Sequence, residues 1–72
     1  MQVQSASRNL ANVVNNYQNI KGLSITGLAR RTKVSKRTLE RIKLGRGYNP
    51  HLKTLVKLSN ALGQDVSNLL GQ

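Results

Sequence analysis

Three observations on the chain predict an all-α, compact five-helix fold. Five segments carry apolar residues at helical spacing between start and stop signals, whereas none sustains the alternation of a half-buried strand. The chain has 72 residues, which suits a single domain spanning 1–72. It has no cysteine, a lone His and two acids, so neither disulfides nor a structural metal is expected and packed helices or an oligomeric partner must supply the stability.

Residues 7–19 bring Leu10, Val13, Val14 and Tyr17 to helical spacing, with Ser5 or Ser7 as the cap. Asn9, Asn12, Asn15, Asn16 and Asn19 lie between them and make this first helix intrinsically weak. Lys21-Gly22 is a stop signal, after which Ser24 caps a second helix, Ile25 to Thr32, with Ile25, Leu28, Ala29 and Thr32 on one face. Gly27 inside it costs about 1 kcal/mol relative to Ala. Beyond a turn at Lys33-Val34, Ser35 caps a third helix, Lys36 to Leu44, ended by Gly45 and Gly47. Asn49-Pro50 reads as the N-cap and first residue of a fourth helix that carries Leu52, Leu55, Val56, Leu58 and Leu62 and stops at Gly63. Asp65 caps a short fifth helix, Val66 to Leu70. The expected core is Leu10, Val14, Tyr17, Leu23, Leu28, Ala29, Val34, Leu39, Ile42, Leu52, Leu55, Leu58, Leu62, Val66 and Leu69.

Twelve Lys and Arg against two acids give a formal charge of +10, which repels itself and calls for a polyanion. Eight of the twelve cations fall in residues 30–46, with Glu40 as the sole acid there, so the charge is a local footprint. The longest apolar run is two residues, as at Val13-Val14, against the roughly 20 of a membrane span, and a soluble, cytoplasmic protein with no membrane partner is expected. Single-stranded nucleic acids are commonly held by stacking bases on aromatic platforms, and this chain offers only Tyr17 and Tyr48. Double-stranded DNA fits better.

With Lys36 at zero on a wheel of 100° per residue, Leu39 and Ile42 lie at about 300° and 240°, while Leu44, Arg37 and Arg41 lie at about 80°, 100° and 140°. The core face and the arginines therefore point opposite ways. A short helix anchored by Leu39 and Ile42 and showing two arginines fits a major groove about 12 Å wide, where Arg pairs bidentately with guanine N7 and O6. Lys36 and Arg37 occupy the first turn, where the macrodipole disfavours cations unless an anion answers them. Snorkelling of long basic side chains into water is the competing explanation.

Leu28-Ala29, Val34-Ser35, Leu39, Ile42, Gly45, Pro50, Leu52, Leu55, Leu58, Leu62-Gly63 and Leu69 resemble the helix-turn-helix domain of lambda-type phage repressors, Cro proteins and the wider XRE regulators, over residues 23–70. The resemblance implies that the second and third helices, about residues 24–44, form the helix-turn-helix and that the third reads bases. By the same resemblance Lys36, Arg37 and Arg41, with Thr38, match base-edge positions. Ser24, Ser35, Arg46, Tyr48, Asn49, His51 and Lys53 match phosphate contacts, and Val66, Leu69 and Leu70 are the apolar candidates for a dimer contact on DNA. Three departures stand out: Ile25 where the family often has Gln at a phosphate contact, Lys33 in place of the usual turn Gly, and Lys43 in place of a Glu that pairs with the first helix, where Gln18 now sits.

Glu40 is placed either on a cytosine amino group or, with more weight, in a pair with Lys36 or Arg37. His51 has no nucleophile, metal ligand or carboxylate near it in sequence, so no enzymatic function, cofactor or small-molecule substrate is expected. The function that follows is sequence-specific duplex-DNA binding by a phage- or plasmid-type repressor acting as a dimer on a palindromic operator. The alternatives are an antitoxin-type DNA-binding protein with a protein partner, or a basic binder of structured RNA or of nucleic acid without sequence preference.

Overall fold

The computed structural model describes residues 3–71, with side chains from residue 6 onward. Five helices follow one another with no strand among the described residues: α1 (Val3–Lys21), α2 (Ile25–Thr32), α3 (Lys36–Leu44), α4 (Leu52–Leu62) and α5 (Val66–Leu69). The domain measures 32 × 22 × 21 Å. Helix α1 packs on α3 and α5, α2 on α3 and α4, and α4 on α5. The centre is a single cluster of Leu10, Val14, Leu28, Val34, Leu39, Ile42, Leu55, Leu58 and Leu69.

Helices α2 and α3 occupy the expected residues because each end carries its own signal. The Ser24 hydroxyl accepts from Gly27 N at 3.1 Å, and the Ser35 hydroxyl accepts from Thr38 N at 3.3 Å, each answering one of the backbone donors a helix start leaves free. Between them Thr32 is buried, its Oγ1 donating to Leu28 O at 2.8 Å and accepting from Val34 N at 3.3 Å, which fixes the turn from the inside. Lys33, in the position of the family's usual turn glycine, is held left-handed at φ 60°, a strained backbone for a residue with a Cβ.

Helix α1 begins four residues before the expected range of 7–19 and runs to Lys21, where the Lys21-Gly22 stop signal places its end. Neither expected cap serves. Ser5 falls inside the helix and its side chain lies outside the described residues. Ser7 is buried in the helix, where its Oγ donates to Gly45 O at 3.3 Å and accepts from Gly47 N at 2.9 Å across the fold. The weakness of an Asn-rich helix is offset in the same way. Asn9 Nδ2 donates to Asn68 O and Leu69 O at 2.8 and 3.0 Å, and Asn15 Nδ2 to Lys43 O at 3.5 Å, so α1 bonds to carbonyls at the ends of α5 and α3. Gln18, expected opposite Lys43, turns instead to Leu23 O at 3.1 Å.

Helix α4 starts at Leu52 with His51 as its N-cap residue, two residues later than Asn49-Pro50 predicts. Pro50 is buried in an extended loop, and the helical ladder begins only where Leu55 N reaches His51 O at 3.1 Å. Leu52, expected in the core, is 69% exposed. With Leu52 at zero on a 100° wheel, Leu55, Leu58 and Leu62 cluster at about 240–300° while Val56 lies at about 40°, so Leu52 and Val56 share the outer edge. Tyr17, Leu23, Ala29, Leu62 and Val66 pack partly buried against the core. Asp65 stands at the N-cap of α5 without a side-chain cap bond, and the helix ends at Leu69, with Leu70 as its C-cap residue.

Candidate nucleic-acid interface

The face of α3 turned away from the core is built from its own sequence period. Leu39 and Ile42 are 0% and 2% exposed and seat the helix, while Lys36, Arg37, Glu40, Arg41 and Leu44 all face solvent and Thr38 is half-buried beside the Ser35 cap. The Ser35 hydroxyl donates to Thr38 Oγ1 at 2.9 Å, so both hydroxyls are engaged at the helix start. Glu40 is exposed, and neither Lys36 nor Arg37 forms an ion pair with it; it takes no orienting role within the free chain. Arg30 and Arg31 in the last turn of α2, and Arg41 and Lys43 in that of α3, sit where a macrodipole favours cations. Lys36 and Arg37, by contrast, share a first turn with no acid to balance them.

The C-terminal end of α3 is clamped. Gly45 takes φ +67° and its N–H returns to Ile42 O at 3.1 Å; a Cβ there would stand 3.3 Å from the Ala11 Cβ. Only glycine fits both the left-handed backbone and the close approach of α1. Ser7, one turn before Ala11 on α1, bonds to Gly45 and Gly47, with Arg46 exposed at the tip between them. The chain then turns Tyr48 back onto the core, half-buried, with the Arg41 guanidinium carbon 5.7 Å from its ring centroid.

The remaining sequence-predicted phosphate contacts lie on two elements. Ser24 is exposed at the start of α2. Asn49, His51 and Lys53 are exposed around the start of α4, where His51 contributes no side-chain cap bond. The expected dimer residues do not form an exposed apolar patch: Leu69 is 0% exposed, its side chain used by the chain's own core, and Val66 and Leu70 are half-buried against it. Among the described residues the exposed large apolar side chains are Ile20, Leu44, Leu52 and Val56.

A model of the family HTH_3, described as helix-turn-helix, matches residues 19–69. The chain belongs to the HTH_3 family. This is the lambda repressor-like family of DNA-binding transcription regulators that the sequence resembles, and its match spans α2 to α5. The chain is also similar to a solved structure, the crystal structure of an HTH_3 family transcriptional regulator from Vibrio cholerae, with a TM-score of 0.78 and 28% identity. That likeness covers 97% of this chain and 39% of the other, so the chain spans about two fifths of that regulator's length. No curated protein sequence matches the chain.

Within the HTH_3 frame, the sequence assigns no site role to Leu44, Ser7 or Asn15, which the fold places at the α3 face or its C-terminal end. Leu44 was visible in the helical period, at about 80° beside Arg37 and Arg41, and its 62% exposure puts apolar surface on the same face as the arginines. Ser7 and Asn15 had no local signal, because their partners lie 38 and 28 residues away.

Proposed function

We propose that this HTH_3 chain binds double-stranded DNA sequence-specifically, with α3 in the major groove, and acts as a repressor by occluding a promoter. The observation that carries this reading is the division of α3 into a buried face, Leu39 and Ile42, and an exposed one that presents Lys36, Arg37 and Arg41. Arg37 and Arg41 pair with guanine edges, Lys36 serves guanine or phosphate as a point charge, and Thr38 contributes from the first turn. Leu44 offers apolar contact of the kind that suits a thymine methyl. Ser24, Ser35, Arg46, Asn49, His51 and Lys53 approach the phosphates and set the register of the helix on the duplex.

One reading helix contacts only a few base pairs, so useful specificity needs two half-sites about one helical turn apart and hence a dimer on a palindromic operator. The charge of +10 opposes association in the absence of DNA, which neutralises it. With Leu69 spent in the core, the apolar surface available for that contact is the outer edge of α4, Leu52 and Val56, with the half-buried Val66 and Leu70.

Selection of bound duplexes from a random library tests both halves of the proposal. The expected outcome is an enriched palindrome protected by two chains. Enrichment of a single unpaired half-site would remove the dimer, and no enrichment at all, with structured RNA competing as well as DNA, would favour a general polyanion binder.

A further inference from the structure

The two arginines of α3 are not equivalent. Both are exposed, but Arg41 alone has its guanidinium over an aromatic ring, 5.7 Å from the Tyr48 centroid, and that ring is itself seated against the core. The turn that carries Tyr48 is bonded to α1. Tyr48 follows a turn in which Gly45 and Gly47 are both left-handed, and Ser7 of α1 bonds to Gly45 O and Gly47 N. The buried Leu10 and the buried Pro50 border the same small cavity as Tyr48, of about 110 Å³. By the family resemblance Tyr48 matches a phosphate contact; in the fold its ring also faces the Arg41 guanidinium, a contact made by the ring and not by the hydroxyl.

We infer that Tyr48 is a positioning residue that aims Arg41 at base edges before DNA arrives, and that Ser7 acts through the Gly45–Gly47 turn to hold Tyr48 there. A flexible arginine loses rotamer freedom when it forms a bidentate pair with guanine, and a ring that already restricts it reduces that loss. The guanidinium is planar and stacks on an aromatic face while its edge donors stay free, so the contact that holds Arg41 does not consume its hydrogen bonds. Arg37 has no such support. The inference rests on the DNA-reading function above and adds an asymmetry to it: discrimination at the base pair read by Arg41 depends on the Tyr48 ring, and discrimination at the one read by Arg37 does not.

The test compares Tyr48→Phe, Tyr48→Leu, Arg41→Ala and the Tyr48→Leu/Arg41→Ala double variant by fluorescence anisotropy. The probes are a duplex selected by the wild type, versions altered at single base pairs, and a scrambled duplex. Tyr48→Phe should retain wild-type discrimination, whereas Tyr48→Leu should lower it about two- to fivefold per half-site, the worth of an exposed cation–π contact, at the Arg41 base pair alone. In the Arg41→Ala background Tyr48→Leu should add nothing. Equal weakening of every duplex by Tyr48→Phe would instead make the hydroxyl a phosphate contact and overturn the inference, as would an equal loss at both arginine positions.

A second measurement needs no DNA and survives any loss of binding. Nitrogen relaxation at Arg Nε in the free protein should show Arg41 ordered and Arg37 mobile, with Arg41 becoming mobile in Tyr48→Leu. Equal mobility of the two arginines in the wild type would overturn the inference even if sequence-specific binding stands. A wild type that bound selected and scrambled duplexes alike, with Arg41 ordered, would overturn the reading function instead.

Discussion

The α2–α3 end of the molecule and the α4–α5 end are built to different tolerances. At the first, both helix starts carry bonded serine caps, Thr32 locks the turn from within, and α1 reaches over with Ser7 and Asn15 to hold the end of α3. At the second, His51 and Asp65 occupy N-cap positions without side-chain cap bonds, α5 has four residues, and Leu52 and Val56 lie open on the outer edge of α4. Reading bases requires side chains placed within hydrogen-bond distance of particular atoms, whereas gripping a phosphate backbone only positions the protein. Bonded side-chain caps fall where the proposed chemistry is least forgiving.

Core substitutions should break the comparison most forcefully. Leu39→Ala, at a site 0% exposed, should cost about 2–5 kcal/mol in urea denaturation. Leu52→Ala, at a site 69% exposed, should stay within about 0.5 kcal/mol of the wild type. Similar costs for the two would mean that Leu52 is covered in solution, and a concentration-dependent midpoint would identify a second copy as the cover.

The helix caps offer a finer comparison. Ser35→Ala removes a bonded cap and should cost about 0.5–2 kcal/mol, while Asp65→Ala, with no cap bond to lose, should cost a few tenths at most. Equal penalties would erase the distinction between the two ends. Smaller still, Lys33→Gly should raise stability by about 0.5–1 kcal/mol by relieving the left-handed backbone. The variant also removes one cation next to α3, so in the proposed binding mode it should bind all duplexes slightly less well in low salt.

These contrasts also explain what the sequence disclosed. Helices α2 and α3 match their expected residues because Ser24, Ser35 and Gly45 act on their immediate neighbours, and the exposed face of α3 follows from the period of Leu39 and Ile42. Helix α1 stops at its Lys21-Gly22 signal but begins earlier than its local signals indicate, and its asparagines, which argue against a helix locally, are what tie it to α3 and α5. Asn49-Pro50 is a sound start signal that burial of Pro50 overrides. Apolar spacing alone placed Leu52 inside, while its angle from Leu55 and Leu58 places it at the edge. The family resemblance supplied base and phosphate roles by position, and it had no means of showing that Tyr48 lies beneath Arg41.

The central claim is that α3 reads sequence while the start of α4 grips the backbone. The direct test measures Arg37→Ala, Arg41→Ala and Lys53→Ala on the selected and the scrambled duplex across a salt series. Each arginine variant should lose about 1–3 kcal/mol per half-site on the selected duplex, change the preferred base at its position, and bind the scrambled duplex with much smaller loss. Lys53→Ala should weaken both duplexes alike and reduce the salt slope by about one for each phosphate it no longer neutralises. If the arginine variants weakened both duplexes equally, α3 would be a phosphate clamp, and sequence-specific recognition by this chain would be contradicted.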